Sequence, residues 1–203
     1  MLEQPKATAG LYIFSAPSGG GKTSLARALV EDCVDVSISV SHTTRNRRSG
    51  EKDGKDYFFV DCVTFELMIE QGDFLEYARV FDHFYGTSRS SVDKALAVGQ
   101  KVILDIDWQG ARKVRRVAPG SVSVFFLPPS VEVLAERLAG RGRDSADEIH
   151  YRMERAISEM GHFENMTMFW STIGSKTRSP SSNSWCSRDR RPHRSATRMW
   201  PHL

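Results

Sequence analysis

Short apolar runs alternate with helical patterns along most of the chain. The apolar runs are typical of buried strands and occupy residues 11–15, 36–40, 101–106 and 122–127. Apolar residues at helical spacing predict helices directly after residue 21 and at 63–71, 88–97, 109–117, 131–139 and 145–160. One face of the last helix is expected to carry Ile149, Met153, Ile157 and Met160. A polar stretch at 41–56 is predicted to be a loop, followed by short aromatic strands before residue 87.

The alternation of strands and helices predicts an α/β fold. Strand–helix–strand units place parallel strands in one sheet, with helices covering both of its faces. Ligands of such sheets bind beyond the C-terminal ends of the strands. Candidate chemistry is therefore sought in the segments that follow the predicted strands.

The composition is that of an ordinary globular protein. Of 203 residues, 40% are hydrophobic and 26% are charged, which excludes a wholly disordered or collagen-like chain. No run approaches the length of a membrane span, and residues 1–10 lack the apolar core of a secretory signal, so we expect a cytoplasmic protein. Cys33, Cys62 and Cys186 show no CxxC spacing and are expected to be reduced thiols.

Residues 16–23 read Ala-Pro-Ser-Gly-Gly-Gly-Lys-Thr and join the first predicted strand to the first helix. They fit the phosphate-loop pattern, with Ala16 where the strict pattern has Gly. Glycines let backbone N–H groups surround phosphate oxygens, and the helix N-terminus adds its positive dipole end. The alternative is a Gly-rich turn that only links a strand to a helix. The predicted ATP-binding residues are Ala16, Pro17, Ser18, Gly19, Gly20, Gly21, Lys22, Thr23 and Ser24.

Two side chains of this loop have predicted roles toward ATP and its metal. Lys22 is expected to reach the β- and γ-phosphates, and Thr23 to hold Mg²⁺ through its hydroxyl. Asp105 and Asp107 follow a buried strand, where acids suit Mg²⁺ or its water shell, although they could instead cap the next helix. The pattern does not by itself choose between motors, GTPases and kinases.

Further motifs follow the phosphate loop in unbroken order. They are Ser41-His-Thr-Thr-Arg45 with Arg48, Gly50-Glu51 with Gly54 and Tyr57, Phe74-Leu-Glu76, Tyr85-Gly-Thr87, and Leu104-Asp-Ile-Asp-Trp-Gln-Gly110. With these motifs, residues 10–165 closely resemble a bacterial guanylate kinase. The resemblance implies transfer of the ATP γ-phosphate to GMP (or dGMP), giving ADP and GDP. It also implies a P-loop NTPase-type parallel sheet flanked by helices at 10–40 and 88–130, an inserted GMP-binding α+β domain at 41–87 and a helical lid at 130–160.

The phosphate of GMP is expected to bind two arginines and two tyrosines. Arg45 and Arg48 offer planar, permanently charged forks that suit a phosphate dianion. The resemblance implies that Tyr57 and Tyr85 donate their hydroxyls to the same phosphate.

The guanine base offers two donors, N1–H and the 2-amino group, beside the acceptor O6. Glu76 can accept from both donors, while Ser41 or Thr87 can donate to O6. Adenine has neither donor and would leave the carboxylate unpaired, so selection of GMP over AMP follows. The resemblance places Ser41, Glu76, Thr87 and Asp107 at the base.

The predicted lid carries arginines for the ATP phosphates. Phosphoryl transfer spreads negative charge over the moving group, so catalysis needs positioning and cations rather than a protein nucleophile. The resemblance implies that Arg137, Arg141 and Arg152 reach the ATP phosphates when the lid closes. The predicted catalytic residues are Lys22, Arg45, Arg137, Arg141 and Arg152.

The resemblance stops near Met166, where the composition changes. Residues 167–203 hold seven Lys or Arg against one acid, which leaves 21 basic and 24 acidic residues in 1–166. Guanylate kinases continue instead with a strand similar to Asp-Tyr-x-Ile-Val-Asn-Asp and a last helix. Read from the third base of the Met166 codon, the back-translated chain permits Asp-Tyr-Val-Leu-Val-Asn-Asp.

A shifted reading frame would explain this change. We therefore expect 1–166 to be the guanylate kinase-like domain and 167–203 an aberrant, disordered, out-of-frame tail. The last strand and helix would be missing, and the basic charge of the tail would be accidental, so no nucleic-acid partner is expected. An unshifted frame on resequencing the DNA would refute this hypothesis.

Two alternatives to an active guanylate kinase stay open. One is a catalytically impaired or silent guanylate-kinase-like binding module, because the last strand and helix are expected to be missing. The other is a kinase for a nucleoside monophosphate with a different base, against which Glu76 and Thr87 argue.

Overall fold

The computed structural model describes residues 10–80, 82–140, 146–161 and 168–171, which contain nine strands and six helices. The strands are β1 (Gly10–Ser15), β2 (Val36–Ile38), β3 (His42–Thr43), β4 (Phe58–Phe59), β5 (Phe74–Val80), β6 (His83–Ser88), β7 (Lys101–Asp105), β8 (Val122–Leu127) and β9 (Met168–Ser171). The helices are α1 (Lys22–Asp32), α2 (Cys62–Glu70), α3 (Arg89–Ala97), α4 (Trp108–Val117), α5 (Val131–Ala139) and α6 (Ala146–Met160).

The larger sheet holds five strands in the order β2-β7-β1-β8-β9. Strand β2 runs parallel to β7, with Val36 opposite Lys101. Strand β8 runs parallel to β9, with Val124 opposite Met168. This parallel sheet flanked by helices confirms the predicted α/β fold class.

The smaller sheet holds four strands in the order β4-β3-β6-β5. Strands β5 and β6 form an antiparallel pair in which Glu76 lies opposite Thr87. Strand β3 pairs antiparallel with β6 and parallel with β4. Stacked rings support this sheet, because the Phe65 ring centroid lies 4.5 Å from that of Phe74 and 5.3 Å from that of Phe84.

The chain separates into two compact units, each with its own buried residues. The first unit comprises 35–104 and 109–121 with the start of β1, and the second comprises 13–34, 105–108 and the described residues from 122 onward. In the second unit, the rings of Phe14 and Phe126 meet edge to face, with centroids 4.8 Å apart. The predicted boundaries of core, GMP-binding domain and lid do not coincide with these units, and that division stays a prediction.

The prediction of a loop over 41–56 is wrong at two residues. His42 and Thr43 form β3, with His42 opposite Gly86 of β6 and Phe58 of β4. A strand of two residues shows no alternation along the sequence, so only its partners in space reveal it. The predicted strand at 36–40 is likewise shorter and ends at Ile38.

The buried face of α6 includes Ala156, which was not predicted, and leaves out Ile157, which was. Ala156 and Met160 are fully buried, whereas Ile157 is 44% exposed. At about 100° per residue, positions 156 and 160 fall within about 20° of Ile149, while position 157 falls about 80° away. Apolar character alone therefore placed Ile157 on the wrong face.

The expectation that the last strand is missing does not hold for residues 168–171. These residues form β9 and continue the parallel sheet beside β8. Residues 168–171 read Met-Phe-Trp-Ser, which differs from the sequence of the family strand. The rest of the predicted tail lies outside the described residues.

Two sequence predictions on composition can be compared with the described part of the chain. No helix there is long and apolar enough to cross a membrane. Cys33 is buried and Cys62 is exposed, Cys186 lies outside the described residues, and the reduced state of all three stays a prediction.

Candidate active site

The predicted phosphate loop joins the end of β1 to the start of α1. The Gly20 amide donates to the Pro17 carbonyl at 2.9 Å, which closes a turn over residues 17–20. Gly19, in the third position of this turn, has a φ of +84°, as in a type II turn. A Cβ on Gly19 would lie 2.9 Å from Leu134 Cδ1 of α5. Both the turn and the packing of α5 therefore require glycine at this position.

Asp105, at the end of β7, contacts both functional side chains of the loop. Lys22 Nζ lies 2.7 Å from Asp105 Oδ1 and donates to the Ile106 carbonyl at 2.8 Å. The Thr23 hydroxyl donates to Asp105 Oδ2 at 2.8 Å. Since both oxygens of Asp105 contact the loop, the alternative that this residue caps the next helix is not supported.

The donor set at the end of the loop suits a hard divalent cation. The Thr23 hydroxyl and the Asp105 carboxylate are oxygen donors, which Mg²⁺ prefers, and Mg²⁺ is commonly bound by one or two protein groups together with substrate phosphates. Among the described residues, no group of three or more His, Cys, Asp or Glu could hold a metal. The residues therefore fit a Mg²⁺ ion that arrives with a nucleotide phosphate.

One predicted lid arginine lies beside the phosphate loop. Arg137 is in the last turn of α5, and its Nη1 would be 3.7 Å from a Cβ on Gly21. Arg152 is half-buried on α6. Arg141 lies outside the described residues. The roles of these three arginines toward ATP stay predictions.

Glu159 of α6 is a contact of the loop that the sequence analysis missed. The Ser18 amide donates to Glu159 Oε2 at 3.3 Å. Burial raises the pKa of the Glu159 carboxyl, against the opposing influence of the Ser18 amide and of the Arg155 and Lys22 charges. In sequence, Glu159 is one acid among several charged residues of an amphipathic helix, so no local signal distinguishes it.

The predicted guanine-binding carboxylate is buried in the smaller sheet. Glu76 is only 5% exposed, because the alternation along β5 turns it inward together with Phe74 and Ala78. Its Oε1 accepts a hydrogen bond from the Thr87 hydroxyl at 2.6 Å. This bond uses the single proton of the Thr87 hydroxyl, so in this arrangement Thr87 positions Glu76 and does not donate to O6.

The predicted phosphate-binding arginine is held by an acid to which the sequence analysis gave no role. Arg45 Nη2 donates to Glu51 Oε1 at 2.7 Å, and the Arg48 amide donates to Glu51 Oε2 at 2.8 Å. The Arg45 guanidinium also lies 5.4 Å from the Tyr57 ring centroid and 5.8 Å from that of Phe59. The only indication in the sequence that Glu51 would pair with an arginine was its position in the Arg-rich loop.

Both charges of this pair are stabilised. Burial on its own would lower the pKa of Arg45, but the hydrogen bond and charge of Glu51, with the influence of Tyr85, raise it. The hydrogen bond from Arg45 lowers the pKa of Glu51, and the Arg48 amide adds to this. The pair is therefore charged at neutral pH.

The remaining predicted GMP-binding residues fall into two groups. In the first unit, the Tyr57 and Tyr85 rings meet edge to face with centroids 6.0 Å apart, and the Arg48 side chain is exposed. The Ser41 carbonyl accepts from the Phe58 amide at 2.9 Å, just before β3. Asp107 belongs to the second unit, where its charge raises the pKa of Glu159.

Comparisons with known proteins identify the family of the chain. The family model described as guanylate kinase matches residues 8–173. The chain is 58% identical to the guanylate kinase of Chromohalobacter salexigens over 161 residues, which cover 79% of this chain and 75% of the relative. It is 57% identical to the guanylate kinase of Methylococcus capsulatus over 153 residues, or 75% of each chain.

A solved structure gives the same result for the fold. The chain resembles the crystal structure of guanylate kinase from Anaplasma phagocytophilum with a TM-score of 0.69 and 34% identity, over 83% of this chain and 79% of that one. The match to the family model covers more than half of the chain. The chain therefore belongs to the guanylate kinase family.

Proposed function

We propose that this chain transfers the γ-phosphate of ATP to GMP, giving ADP and GDP. The observation that carries the proposal is the Glu76 carboxylate, 5% exposed and hydrogen-bonded to Thr87. Burying a carboxylate is costly unless partners compensate for the lost water. Guanine offers such partners in its N1–H and 2-amino groups, and membership of the guanylate kinase family agrees with this ligand.

The donor ATP would bind at the phosphate loop. Lys22 supplies a cation to the β- and γ-phosphates, and the backbone amides of the loop supply hydrogen-bond donors. Thr23 and Asp105 would hold Mg²⁺, which when bound neutralises charge on the phosphates. Arg137, already beside Gly21, would add a further positive charge.

The lid arginines would stabilise the charge that develops during transfer. Arg141 and Arg152 are proposed to join Arg137 in contact with the ATP phosphates. An arginine in this role can be worth a factor of ~10³ or more in rate. Closing these side chains over the site would also exclude water, which would otherwise take the phosphoryl group.

The phosphate of GMP would bind at Arg45, Arg48, Tyr57 and Tyr85. The contact with Glu51 fixes the Arg45 fork before GMP arrives, which lowers the entropy lost on binding. An oxygen of the GMP phosphate attacks the γ-phosphorus, the bond from that phosphorus to the bridging oxygen breaks, and ADP leaves with the electron pair. No protein side chain is required as a nucleophile.

The base would be selected by Glu76, with Ser41 and Asp107 as the other proposed contacts. Since the Thr87 hydroxyl donates to Glu76, Ser41 is the stronger candidate donor to O6. Adenine would not supply the two donors that guanine offers to this buried carboxylate, and sites of this kind reject the wrong ligand by ~10⁴ or more.

The silent binding module is the less favoured reading. This reading was based on the expected loss of the last strand and helix, and residues 168–171 occupy a strand position beside β8. The contacts among Lys22, Thr23 and Asp105 support a working phosphate loop. A kinase for another base is argued against by the buried Glu76.

Product analysis tests the proposal. The purified full chain is incubated with ATP, GMP and Mg²⁺, and the nucleotides are separated and quantified. We expect ADP and GDP to form in equal amounts, and we expect Lys22→Ala to reduce kcat by at least a hundredfold. ADP without GDP would mean hydrolysis, and no turnover would favour the binding module; either result contradicts the proposal.

A further inference from the structure

One half-buried carboxylate contacts the phosphate loop without a part in the reaction described above. Glu159 lies in the last turn of α6, and its Oε2 accepts from the Ser18 amide at 3.3 Å. Ser18 is the second residue of the turn over 17–20, whose own hydrogen bond joins Gly20 to Pro17. The Ser18 amide takes no part in that bond, so it has no acceptor within the turn, and the Glu159 carboxylate accepts its hydrogen bond instead.

The surroundings of Glu159 are charged on several sides. Lys22 of α1, Arg155 one turn back on α6 and Asp107 after β7 all act on its titration, the first two favouring the anion and Asp107 opposing it. Burial opposes the anion most strongly and raises the pKa of the carboxyl. Because burial disfavours the charged carboxylate, the charge alone does not explain a glutamate at position 159. The hydrogen bond that it accepts from the Ser18 amide does.

We propose that Glu159 is a positioning residue for ATP: by accepting from the Ser18 amide it holds the first half of the phosphate loop in the shape that binds the nucleotide. The inference rests on the proposed role of residues 16–24 in ATP binding. Gly19 follows Ser18 directly and lies so near α5 that an added Cβ would be 2.9 Å from Leu134 Cδ1, so the turn lies between α5 and the Glu159 carboxylate of α6. A loop held in this way loses less entropy when phosphate binds.

The charge of Glu159 has a second consequence that distinguishes this role from a purely structural one. ATP brings several negative charges close to the loop, so its binding raises the proton affinity of a nearby carboxyl. By reciprocity, ATP binds more tightly when the carboxyl is protonated. The affinity for ATP should therefore increase as the pH falls through the range in which Glu159 titrates, and this component should vanish when the charge is removed.

The test measures the dissociation constant of Mg²⁺-ATP for the full chain by calorimetry, together with the KM values for ATP and GMP. Glu159→Ala should weaken ATP binding about tenfold, the loss expected for one hydrogen bond to a charged group, and leave the KM for GMP unchanged. Glu159→Gln retains an acceptor for the Ser18 amide and should bind ATP within about threefold of the unchanged chain at pH 7, without the component that depends on pH.

Glu154→Ala and Glu154→Gln are matched controls, because Glu154 lies on the same helix with its side chain 66% exposed and pairs with His150. They should leave ATP binding unchanged. Unchanged or tighter ATP binding in Glu159→Ala, or an equal loss in Glu159→Gln and Glu159→Ala, would overturn the proposal. Melting curves of both variants identify any general loss of fold. Failure of the proposed function would appear separately, as unchanged chain that binds ATP and forms no GDP.

Discussion

Glu76 illustrates how one buried side chain can combine a cost in stability with the selective function proposed for it. Its desolvation is offset in part by the Thr87 hydroxyl, which lies opposite it in the β5–β6 pair. The sequence indicated Glu76 through its motif, because a carboxylate is the group that matches two guanine donors. It could not indicate the use of the Thr87 proton, since that depends on the register of two strands.

Glu76→Gln should weaken GMP binding about 10–100-fold and leave ATP binding unchanged. The amide replaces one acceptor oxygen by a donor that faces the donors of guanine, while it keeps an acceptor for the Thr87 hydroxyl. Calorimetry with GMP and with Mg²⁺-ATP measures both constants. Glu66→Gln, on the exposed side of α2, is the control that should bind GMP normally. Equal GMP affinities in all three chains would remove Glu76 from the site.

His42 connects a single residue to the dependence of stability on pH. Its ring stacks on Phe58 and its Nδ1 is buried without a hydrogen-bond partner among the described residues. Burial lowers the pKa of His42, against the charges of Asp53 and Asp73. Below pH 6.5 the unfolded chain therefore binds more protons than the folded chain, and this contribution to stability is lost as the pH falls.

His42→Phe should keep the stacking and remove this loss. We expect the decrease in unfolding free energy between pH 7.5 and pH 5.5 (chosen to bracket the ordinary histidine pKa of about 6.5) to be smaller in His42→Phe than in the unchanged chain, as measured by urea unfolding. His150→Gln, at an exposed position of α6, should keep the full decrease. The account of His42 fails if its variant and the unchanged chain lose the same free energy.

At the scale of elements, the helices and the first four strands of the larger sheet followed from periodicity, and the bounds of the strands in the smaller sheet did not. β1, β7 and β8 are apolar runs flanked by turns, and the cores of all six helices were predicted within a few residues. β3 and β4, with two residues each, are defined by their pairing, of β3 with β6 and of β4 with β3. Such short strands depend on pairing with neighbouring strands in the folded structure, so the pattern of residues along the sequence does not predict them.

Gly86→Ala tests the close packing of the smaller sheet. A Cβ on Gly86 would lie 2.8 Å from the Phe74 ring and 2.9 Å from the Phe65 ring, so an alanine should cost about 1–3 kcal/mol of unfolding free energy. Gly120→Ala is the control, because nothing lies within 4 Å of its added Cβ. It should change stability by less than about 0.5 kcal/mol. Equal unfolding free energies of the two variants would show that the Phe65 and Phe74 rings move to accommodate the added methyl group without loss of stability, which would contradict this prediction.

For the whole molecule, the last strand of the larger sheet, β9, lies within the family match but beyond the motifs found in the sequence. The sequence motifs end near residue 166, whereas the family match reaches residue 173 and β9 adds a fifth strand. The out-of-frame hypothesis, which rests on the change of composition and on the back-translated codons, stays a prediction, because a strand at 168–171 does not test the reading frame. Glu51 stood in a quoted motif and Glu159 in none, but both received no role because their contacts, with Arg45 and with the Ser18 amide, depend on the folded structure.

A chain that ends after residue 173 should be more stable than one that ends after residue 167. The longer chain keeps β9, whose backbone pairs with β8 over four register positions. At about 0.5–1.5 kcal/mol for each net hydrogen bond, and about 2–4 °C per kcal/mol, the melting temperatures should differ by several degrees. Coincident melting curves would mean that β9 contributes nothing to the fold.

The central proposal is that the buried carboxylate of Glu76 recognises the guanine base and so selects GMP as the nucleotide that ATP phosphorylates. The most direct measurement is the ratio of kcat/KM for GMP to kcat/KM for AMP, determined with saturating Mg²⁺-ATP on the full chain. The account predicts a ratio of ~10⁴ or more for the unchanged chain and a much smaller one for Glu76→Gln. A ratio near one in the unchanged chain, or a ratio that Glu76→Gln leaves intact, would contradict it.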